Sequence, residues 1–287
     1  IAEAFASNVG GTATLIGDPP NIMIGSFAGL DFMDFIKNDY VIILIILFIT
    51  TYLFVLIYKR KLHTTDEAKS KVMSMNEYDA VSDHKLLKKS IIIITLTMLG
   101  FLLHGALGFE SATIAIAGAV ALLLSSGIRP EKIFREVEWK TIFFFVGLFI
   151  IVGGVKEAGI IKMMSEEVIN ITHGNLALTA LTILWVSAIA SAFIDNIPFV
   201  ATMMPMIKDL GAMSGMNLNP LWWALSLGAC LGGNGTIIGA SANVVACSIA
   251  EEHGHKITFR NYLKVAFPIM LVSVIISTVY LVIFYLI

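Results

Sequence analysis

Several stretches of the chain run for 17 or more residues without Asp, Glu, Lys or Arg, such as Tyr40–Tyr58, Ser90–Phe109 and Val265–Ile287. Each is close to the roughly 20 apolar residues that a membrane-spanning helix needs. Lipid offers the backbone no hydrogen-bond partners, so a crossing segment must be helical or belong to a closed barrel. Only 14% of the 287 residues are charged. These features predict an all-α polytopic membrane protein, and a net charge of −2 gives no reason to expect a nucleic-acid partner.

Two further apolar segments are interrupted by polar residues. Residues 175–210 are broken at 195–198 (Asp-Asn-Ile-Pro), and residues 219–250 are broken at 232–235 (Gly-Gly-Asn-Gly). The first segment is too short for two crossings of about 20 residues each plus a turn. We therefore predict a re-entrant hairpin with Asp195 at its tip, followed by a broken transmembrane helix. The plain spans are predicted at 40–58, 90–108, 112–127, 141–155 and 264–287.

Lysine and arginine favour cytoplasmic loops, so their distribution predicts orientation. The loops 59–89, 128–140 and 251–264 together hold 15 of the 19 basic residues, and we predict that all three are cytoplasmic. The acidic segment 27–39 and the segment 156–174 are then expected outside. Trp222 and Trp223 are expected near the outer face, as an interfacial anchor.

The most specific feature is an internal repeat. Residues 8–25 read NVGGTATLIGDPPNIMIG and residues 230–247 read CLGGNGTIIGASANVVAC, related by an offset of 222. Glycines, a threonine and an asparagine recur at matching positions. The predicted topology carries the first copy outward and the second inward, which describes an inverted-topology repeat.

Broken helices at membrane depth free backbone N–H and C=O groups that can bind an ion or polar solute. The alternative is that the glycines only let helices pack closely. Because the whole pattern recurs, we favour a binding site, with a possible Na⁺ position at Asp195, Asn196 and Asn234. The candidate ion- or substrate-binding residues are Asn8, Gly10, Gly11, Thr12, Thr14, Asp18, Asn21, Asp195, Asn196, Pro198, Asn234, Gly235, Thr236 and Asn243.

Asp18 and Asp195 are the two carboxylates expected near the middle of the membrane. A carboxylate there costs about 3 kcal/mol on insertion scales, and such residues usually serve an ion or proton path. Asp195 has a structural alternative as a helix cap. The repeat places Ala240 opposite Asp18, so the two halves differ chemically at this point. His104, near the end of a span, is expected to have a structural role.

The segment Ser7–Gly25 (SNVGGTATLIGDPPNIMIG) resembles the signature of the family of arsenite permeases and NhaD-type Na⁺/H⁺ antiporters, which also includes the melanosomal P protein. Ser191–Pro205 and Asn234–Asn243 resemble the second hairpin tip and the second broken helix of that family. The family belongs to the ion transporter superfamily, with the citrate and dicarboxylate carriers. Its members are longer, so the resemblance implies a chain that lacks an N-terminal part.

The resemblance also implies a scaffold that often forms a homodimer contact and a mobile transport domain. Residues 1–28 would be the end of the first transport element, 29–174 mainly scaffold, 175–250 the second transport element, and 251–287 a loop and the final span. The carboxylate carriers have Ser-Asn-Thr at their tips. This chain has Asp195-Asn196-Ile197, which leans away from di- and tricarboxylates.

We therefore expect a secondary carrier of a small inorganic ion or anion, coupled to H⁺ or Na⁺ and without an organic cofactor. Arsenite efflux and Na⁺/H⁺ antiport are the leading chemistries, and a citrate-like carboxylate carrier is the alternative. An intramembrane enzyme is a rival of another class, but the chain has no HExxH or GxSxG motif. A channel is the remaining rival, which transport against a gradient would separate from a carrier.

Overall fold

The computed structural model describes residues 1–60, 64–76, 81 and 83–287, and within these residues it is helical with no β-strand. Residues 61–63, 77–80 and 82 lie outside the described residues. All of them, Lys61 included, belong to the loop 59–89 that is predicted to be cytoplasmic. The helices are α1 (Ala2–Thr12), α2 (Pro19–Ala28), α3 (Phe32–Phe35), α4 (Val41–Tyr58), α5 (Asp66–Met73), α6 (His84–Leu107), α7 (Ser111–Ser126), α8 (Pro130–Glu136), α9 (Trp139–Glu157), α10 (Ile160–Thr172), α11 (Leu176–Phe193), α12 (Asn196–Ser214), α13 (Asn219–Gly232), α14 (Ser241–Glu252) and α15 (Phe259–Leu281).

Among the described residues, five helices are long and apolar enough to cross a membrane: Phe32–Tyr58, His84–Leu107, Trp139–Glu157, Leu176–Phe193 and Phe259–Leu286. Leu176–Phe193 is the first arm of the predicted hairpin, so the re-entrant course of that hairpin stays a prediction. Ser111–Ser126 is a shorter apolar helix. Many of their large side chains are exposed; Phe48 is 79% and Leu124 is 80% exposed. A soluble protein would bury such residues, whereas lipid solvates them. The prediction of an all-α polytopic membrane protein is confirmed.

The first long helix begins earlier than the sequence suggested. A π-helical turn, Ile36–Tyr40, joins α3 to α4 without a break, although hydropathy alone started the span at residue 40. Asp39, assigned above to an acidic outer loop, is 0% exposed. That assignment was wrong for Asp39, because tertiary packing buries it at the start of the span. Which face of the membrane each loop occupies stays a prediction.

The described chain divides into two compact units. The smaller comprises Asp31–Met33 and Val55–Thr141, and it is built on the packing of α6 along α7. In this unit, the Nδ1 of His104 lies 2.9 Å from the carbonyl oxygen of Phe109, and its Nε2 accepts from the Phe32 amide at 3.1 Å. A carbonyl only accepts, so Nδ1 carries the hydrogen and the imidazole is neutral. His104 therefore has the structural role expected of it.

The larger unit comprises Ile1–Leu30, Asp34–Phe54 and Ile142–Ile287. Its centre is α13, which is buried along nearly its whole length and packs on α11. Trp222 and Trp223 lie on this helix and are 6% and 0% exposed. Trp223 donates to the Asn219 side chain at 2.7 Å and packs edge-on against Phe35. They are core residues, so the prediction of an interfacial anchor was wrong.

The segment 156–174, expected as an outer loop, contains the helix α10. Its buried face meets α12, where the Ser165 hydroxyl lies 3.3 Å from the Met206 carbonyl oxygen. A short amphipathic helix is therefore part of the larger unit. The assignment of 29–174 to a scaffold and of 175–250 to a transport element stays a prediction.

Candidate functional site

The first break in the helical backbone lies between α1 and α2, over residues 13–18. Asn21, fully buried in α2, closes it. Its side-chain amide Nδ2 donates to the carbonyl oxygens of Thr12 at 3.0 Å and Thr14 at 3.1 Å. The end of a helix leaves such carbonyls without helical partners, and the Thr14 carbonyl also accepts from the amide of Gly17 at 3.3 Å. Asp18 precedes the new helix in extended conformation (φ −142°, ψ 138°), and Pro19 starts it with the fixed φ that suits a first turn.

The second break has the same construction. A single 3₁₀ turn, Gly233–Gly235, follows α13, and α14 begins at Ser241. Asn243 is fully buried, and its Nδ2 donates to the carbonyl oxygens of Gly233 and Thr236, both at 2.8 Å. Ala240 precedes α14 with φ −151° and ψ 145°. These angles match those of Asp18, its counterpart in the repeat, within 10°.

A close approach of two glycines holds each break. A Cβ added to Gly11 would lie 2.7 Å from the carbonyl oxygen of Gly17, and one added to Gly17 would be closer still to that of Gly11. In the second copy, a Cβ on Gly233 would lie 2.9 Å from the Gly239 oxygen, and one on Gly239 2.5 Å from the Gly233 oxygen. Only glycine allows backbone to approach backbone so closely. The repeated glycines therefore serve the geometry of the break itself.

The two breaks meet across an approximate two-fold relationship. Asn8 donates to the side-chain oxygen of Asn243 at 2.9 Å, and the thiol of Cys230 lies 3.5 Å from the side-chain oxygen of Asn21. The offset of 222 converts Asn8 into Cys230 and Asn243 into Asn21, so exchange of the copies converts one contact into the other. Helix packing follows the same rule, with α1 on α14 and α13 on α2. A self-complementary pattern of this kind is the signature of two-fold symmetry, as in an inverted repeat.

The hairpin of α11 and α12 reaches both breaks with its tip. The Thr236 hydroxyl donates to the carbonyl oxygen of Ala192 at 2.5 Å, which ties the end of α11 to the second break. On the other side, the Nδ2 of Asn196 lies 3.5 Å from an oxygen of Asp18, at the first break. Asp195 caps α12 by accepting from the amide of Ile197 at 2.9 Å. The cap does not exclude ligation, because a carboxylate has further lone pairs.

The structure brings most of the candidate residues together, with a few exceptions. Asn8 also donates to Asn234 at 3.0 Å, and the Nδ2 of Asn234 is buried without a partner. Gly235 packs against α11 and α15, near Ala192 and Met270. Gly10 is exposed, and an added Cβ would meet nothing within 4 Å, so it lies outside the cluster.

The three residues predicted to hold Na⁺ do not form one group in the structure. Asn234 lies against Asn8, whereas Asp195 and Asn196 lie beside Asp18. Among the described residues, no hydrogen bond joins Asn234 to the hairpin tip. Pro198 lies in the first turn of α12, where its carbonyl accepts from Thr202 at 3.0 Å. The better candidate for a cation-binding site is therefore the pair of carboxylates, Asp18 and Asp195.

Sequence reasoning missed three residues at the first break: Ser226, Cys230 and Asp39. The Ser226 hydroxyl lies 2.8 Å from the side-chain oxygen of Asn21 and 2.8 Å from an oxygen of Asp39. Ser226 and Cys230 lie in a plain apolar helix, and Ser226 has Ala4 as its repeat counterpart, so no pattern marked it. Asp39 directly precedes the predicted span 40–58, and its charge was the reason to leave it outside that span.

Comparison with known proteins gives consistent results. The family model described as Citrate transporter (CitMHS) matches residues 1–228. An uncharacterized transporter of Mycobacterium tuberculosis is 39% identical over 283 residues, covering 98% of this chain and 66% of that protein. The 46 kDa membrane protein of Mycobacterium leprae is 36% identical with the same coverage. P protein of Homo sapiens is 32% identical, covering 98% of this chain and 43% of its own length. The chain thus spans 66% of the length of these mycobacterial relatives.

Proposed function

Because the chain belongs to the citrate transporter family and is part of a multi-pass membrane transporter, we propose that it forms the ion-coupled site of a secondary carrier. The resemblance to the group that contains P protein and the citrate carriers is confirmed by the matches above. The proposed cargo is a small inorganic ion or anion, and the proposed coupling ion is H⁺ or Na⁺. Arsenite efflux and Na⁺/H⁺ antiport are the leading chemistries.

The observation that carries this proposal is the meeting of both broken helices with one hairpin tip. Secondary transporters bind their substrate where broken helices of two inverted repeats come together. Here Asn8 joins the two copies, Thr236 ties the second break to the hairpin, and Asn196 approaches the first break. Such a site can be opened to either side of the membrane by moving one group of helices against another.

The carboxylates favour coupling to a cation. Asp18 precedes α2 and Asp195 precedes α12, and the side chain of Asn196, next to Asp195, contacts Asp18. Two carboxylates and the side-chain oxygen of Asn196 offer hard oxygen ligands for Na⁺, and the carboxylates are acceptors for protons. None of the side chains named in the site carries a positive charge. Competition of Na⁺ and H⁺ for the same oxygens would produce exchange.

One observation favours the alternative, a carboxylate carrier. Neither α2 nor α14 has a side-chain cap, but the residue before α14 is Ala240, whereas the residue before α2 is the carboxylate Asp18. An uncapped helix N-terminus offers amide N–H groups and a partial positive charge to an anion. The second break could hold a carboxylate or oxyanion there, while Asp18 and Asp195 bind the coupling cation.

Proteoliposomes that contain the purified protein would test the proposal. Uptake of arsenite, Na⁺ and citrate would be measured under an imposed pH gradient and, separately, under an imposed Na⁺ gradient. Accumulation of one solute against its own gradient is expected, and it excludes a channel. Only downhill flux of every solute, or no flux, would contradict the proposed carrier.

Asp195→Asn tests the coupling role within the same assay. Asparagine also caps helices well, so we expect this variant to fold and to insert into the membrane. Without the charge it should lose uptake driven by H⁺ or Na⁺. Glu157→Gln, at the exposed end of α9, is the matched control and should pump like the parent. Driven uptake at the parental rate and pH dependence in Asp195→Asn would show that Asp195 is only a cap.

A further inference from the structure

Asp39 is a completely buried carboxyl group that the proposed site does not use. It lies in the π-helical turn Ile36–Tyr40 of the first long helix, and packing against α13 leaves it 0% exposed. One of its oxygens, Oδ2, lies 2.8 Å from the Ser226 hydroxyl. The other, Oδ1, has no hydrogen-bond partner. Single π-helical turns in α-helices occur often at functional sites.

The position of every hydrogen around Ser226 follows from its neighbours. Asn21 uses Nδ2 to donate to two carbonyl oxygens, Thr12 and Thr14. Its orientation is therefore fixed, because the reverse would set an oxygen against two oxygens. The Asn21 atom that faces Ser226 is consequently Oδ1, an acceptor. Ser226 has one hydrogen for two contacts of 2.8 Å, and its contact with Asn21 is a hydrogen bond only if Ser226 donates that hydrogen there.

This assignment leaves Ser226 with only lone pairs to offer Asp39. The contact between the Ser226 oxygen and Asp39 Oδ2 has full hydrogen-bond length, 2.8 Å. A hydrogen bond of that length needs a donor, and the only candidate is a proton on Asp39. With a carboxylate, the contact would set a lone pair against an anion. The arrangement is satisfied when Asp39 is a carboxylic acid that donates to Ser226, which donates to Asn21.

The surroundings of Asp39 point the same way. Lys37, the cation in the same helical turn, is exposed. The titratable side chains that interact electrostatically with Asp39 are Cys230 on α13, with Asp18 beyond it, and Tyr280 and Tyr285 near the C-terminus. None is a cation, and both tyrosine hydroxyls donate to Asn38. A buried carboxylate that has no cation in contact with it and only one potential hydrogen-bond donor would be poorly stabilised. Burial of the neutral carboxylic acid carries no such penalty for a charge.

We propose that Asp39 is a proton-binding site, held in this conformation as the neutral acid and linked through Ser226 to the amide that closes the first break. Loss of the proton gives a carboxylate, to which Ser226 turns its hydrogen. Asn21 then loses that donor and keeps only the weaker thiol contact with Cys230. Protonation of Asp39 therefore controls how firmly the amide that closes the first break is held. At the second break the closing amide of Asn243 accepts from Asn8 instead, and neither residue titrates.

Infrared difference spectroscopy of the purified protein in lipid nanodiscs tests the protonation state directly. Asp39→Asn should remove one carbonyl-stretching band of a protonated carboxyl group, a band that shifts in D₂O. Ser226→Ala should shift the same band, because the acid loses its acceptor; this variant also serves if Asp39→Asn does not fold. Glu131→Gln, on an exposed helix, should leave the band unchanged. Loss of a carboxylate band instead, or no change with Ser226→Ala, would overturn the proposal.

The link to transport rests on the proposed function and has its own readout. In proteoliposomes, Asp39→Asn should abolish the stimulation of uptake by a pH gradient, expressed relative to solute exchange by the same variant. Full stimulation in Asp39→Asn would overturn the role of Asp39 in coupling, even if the infrared band is assigned to it. If the parental protein transports none of the tested solutes, the proposed function fails, while the infrared result still decides whether Asp39 carries a proton.

Discussion

The two breaks share one backbone solution but differ in their side chains. Each is closed by a buried asparagine and by a pair of touching glycines. The extended residue before the second helix is Asp18 in one copy and Ala240 in the other, with backbone angles that agree within 10°. The turn itself therefore needs no carboxylate. What is common to both copies belongs to architecture, and what differs between them, Asp18 and the partners of Asn21, belongs to chemistry.

Substitution of the touching glycines should have the largest effect. Gly17→Ala places a methyl group against the Gly11 carbonyl, and Gly239→Ala does the same against Gly233. Overpacking against rigid backbone costs about 1–3 kcal/mol or more, so both variants should unfold at clearly lower temperature in detergent. Gly10→Ala, which meets nothing, should be neutral or stabilising by up to about 1 kcal/mol. Equal melting temperatures for all three would refute the shared architecture.

Removal of the closing asparagines should have the next largest effect. Asn21→Ala removes the side-chain donor from the carbonyls of Thr12 and Thr14, and Asn243→Ala removes it from those of Gly233 and Thr236. A buried group that loses its partner costs about 1–3 kcal/mol. Denaturation monitored by tryptophan fluorescence should show similar losses for the two variants. A large loss for only one of them would show that the breaks are not equivalent in stability.

Asp18→Ala sharpens the comparison, because it gives the first break the residue of the second. Since the backbone angles match those of Ala240, we expect a change in stability of less than about 0.5 kcal/mol. Driven uptake should fall, but less than in Asp195→Asn. Uptake and melting temperature would be measured on the same preparation. A strongly destabilised variant would mean that the carboxylate is structural.

Cys230→Ser should have a small effect on stability. A hydroxyl is a better donor than a thiol, so the contact with Asn21 becomes closer to the bond that Asn8 makes with Asn243. One added hydrogen bond contributes about 0.5–1.5 kcal/mol at most, partly offset by the smaller side chain. Cys247→Ser, at a partly exposed position, is the control. A marked loss of stability in Cys230→Ser would argue against a two-fold relationship between these contacts.

The sequence predicted the parts of the molecule whose signals are local. The repeat located both breaks, and the polar residues 195–198 located the hairpin tip, because glycine, proline and asparagine act within a few residues of their own position. It could not predict contacts that depend on packing. Ser226 and Asp39 are in contact although 187 positions of sequence separate them. Trp222 and Trp223 were mistaken for interfacial residues, because the sequence of an aromatic pair is the same in a protein core and at a membrane surface.

The contact of Asn8 with Asn243 and that of Cys230 with Asn21 are related by the two-fold exchange of the repeat copies, and this relationship bears on how the chain evolved. Two identical half-length chains that met across a dyad would make the same contact twice, with one residue type at positions 8 and 230. Each half still carries the surface by which it would recognise a copy of itself. Duplication and fusion of such a gene would turn a dimer into a single chain. Only then could the halves diverge, one keeping an aspartate where the other keeps an alanine.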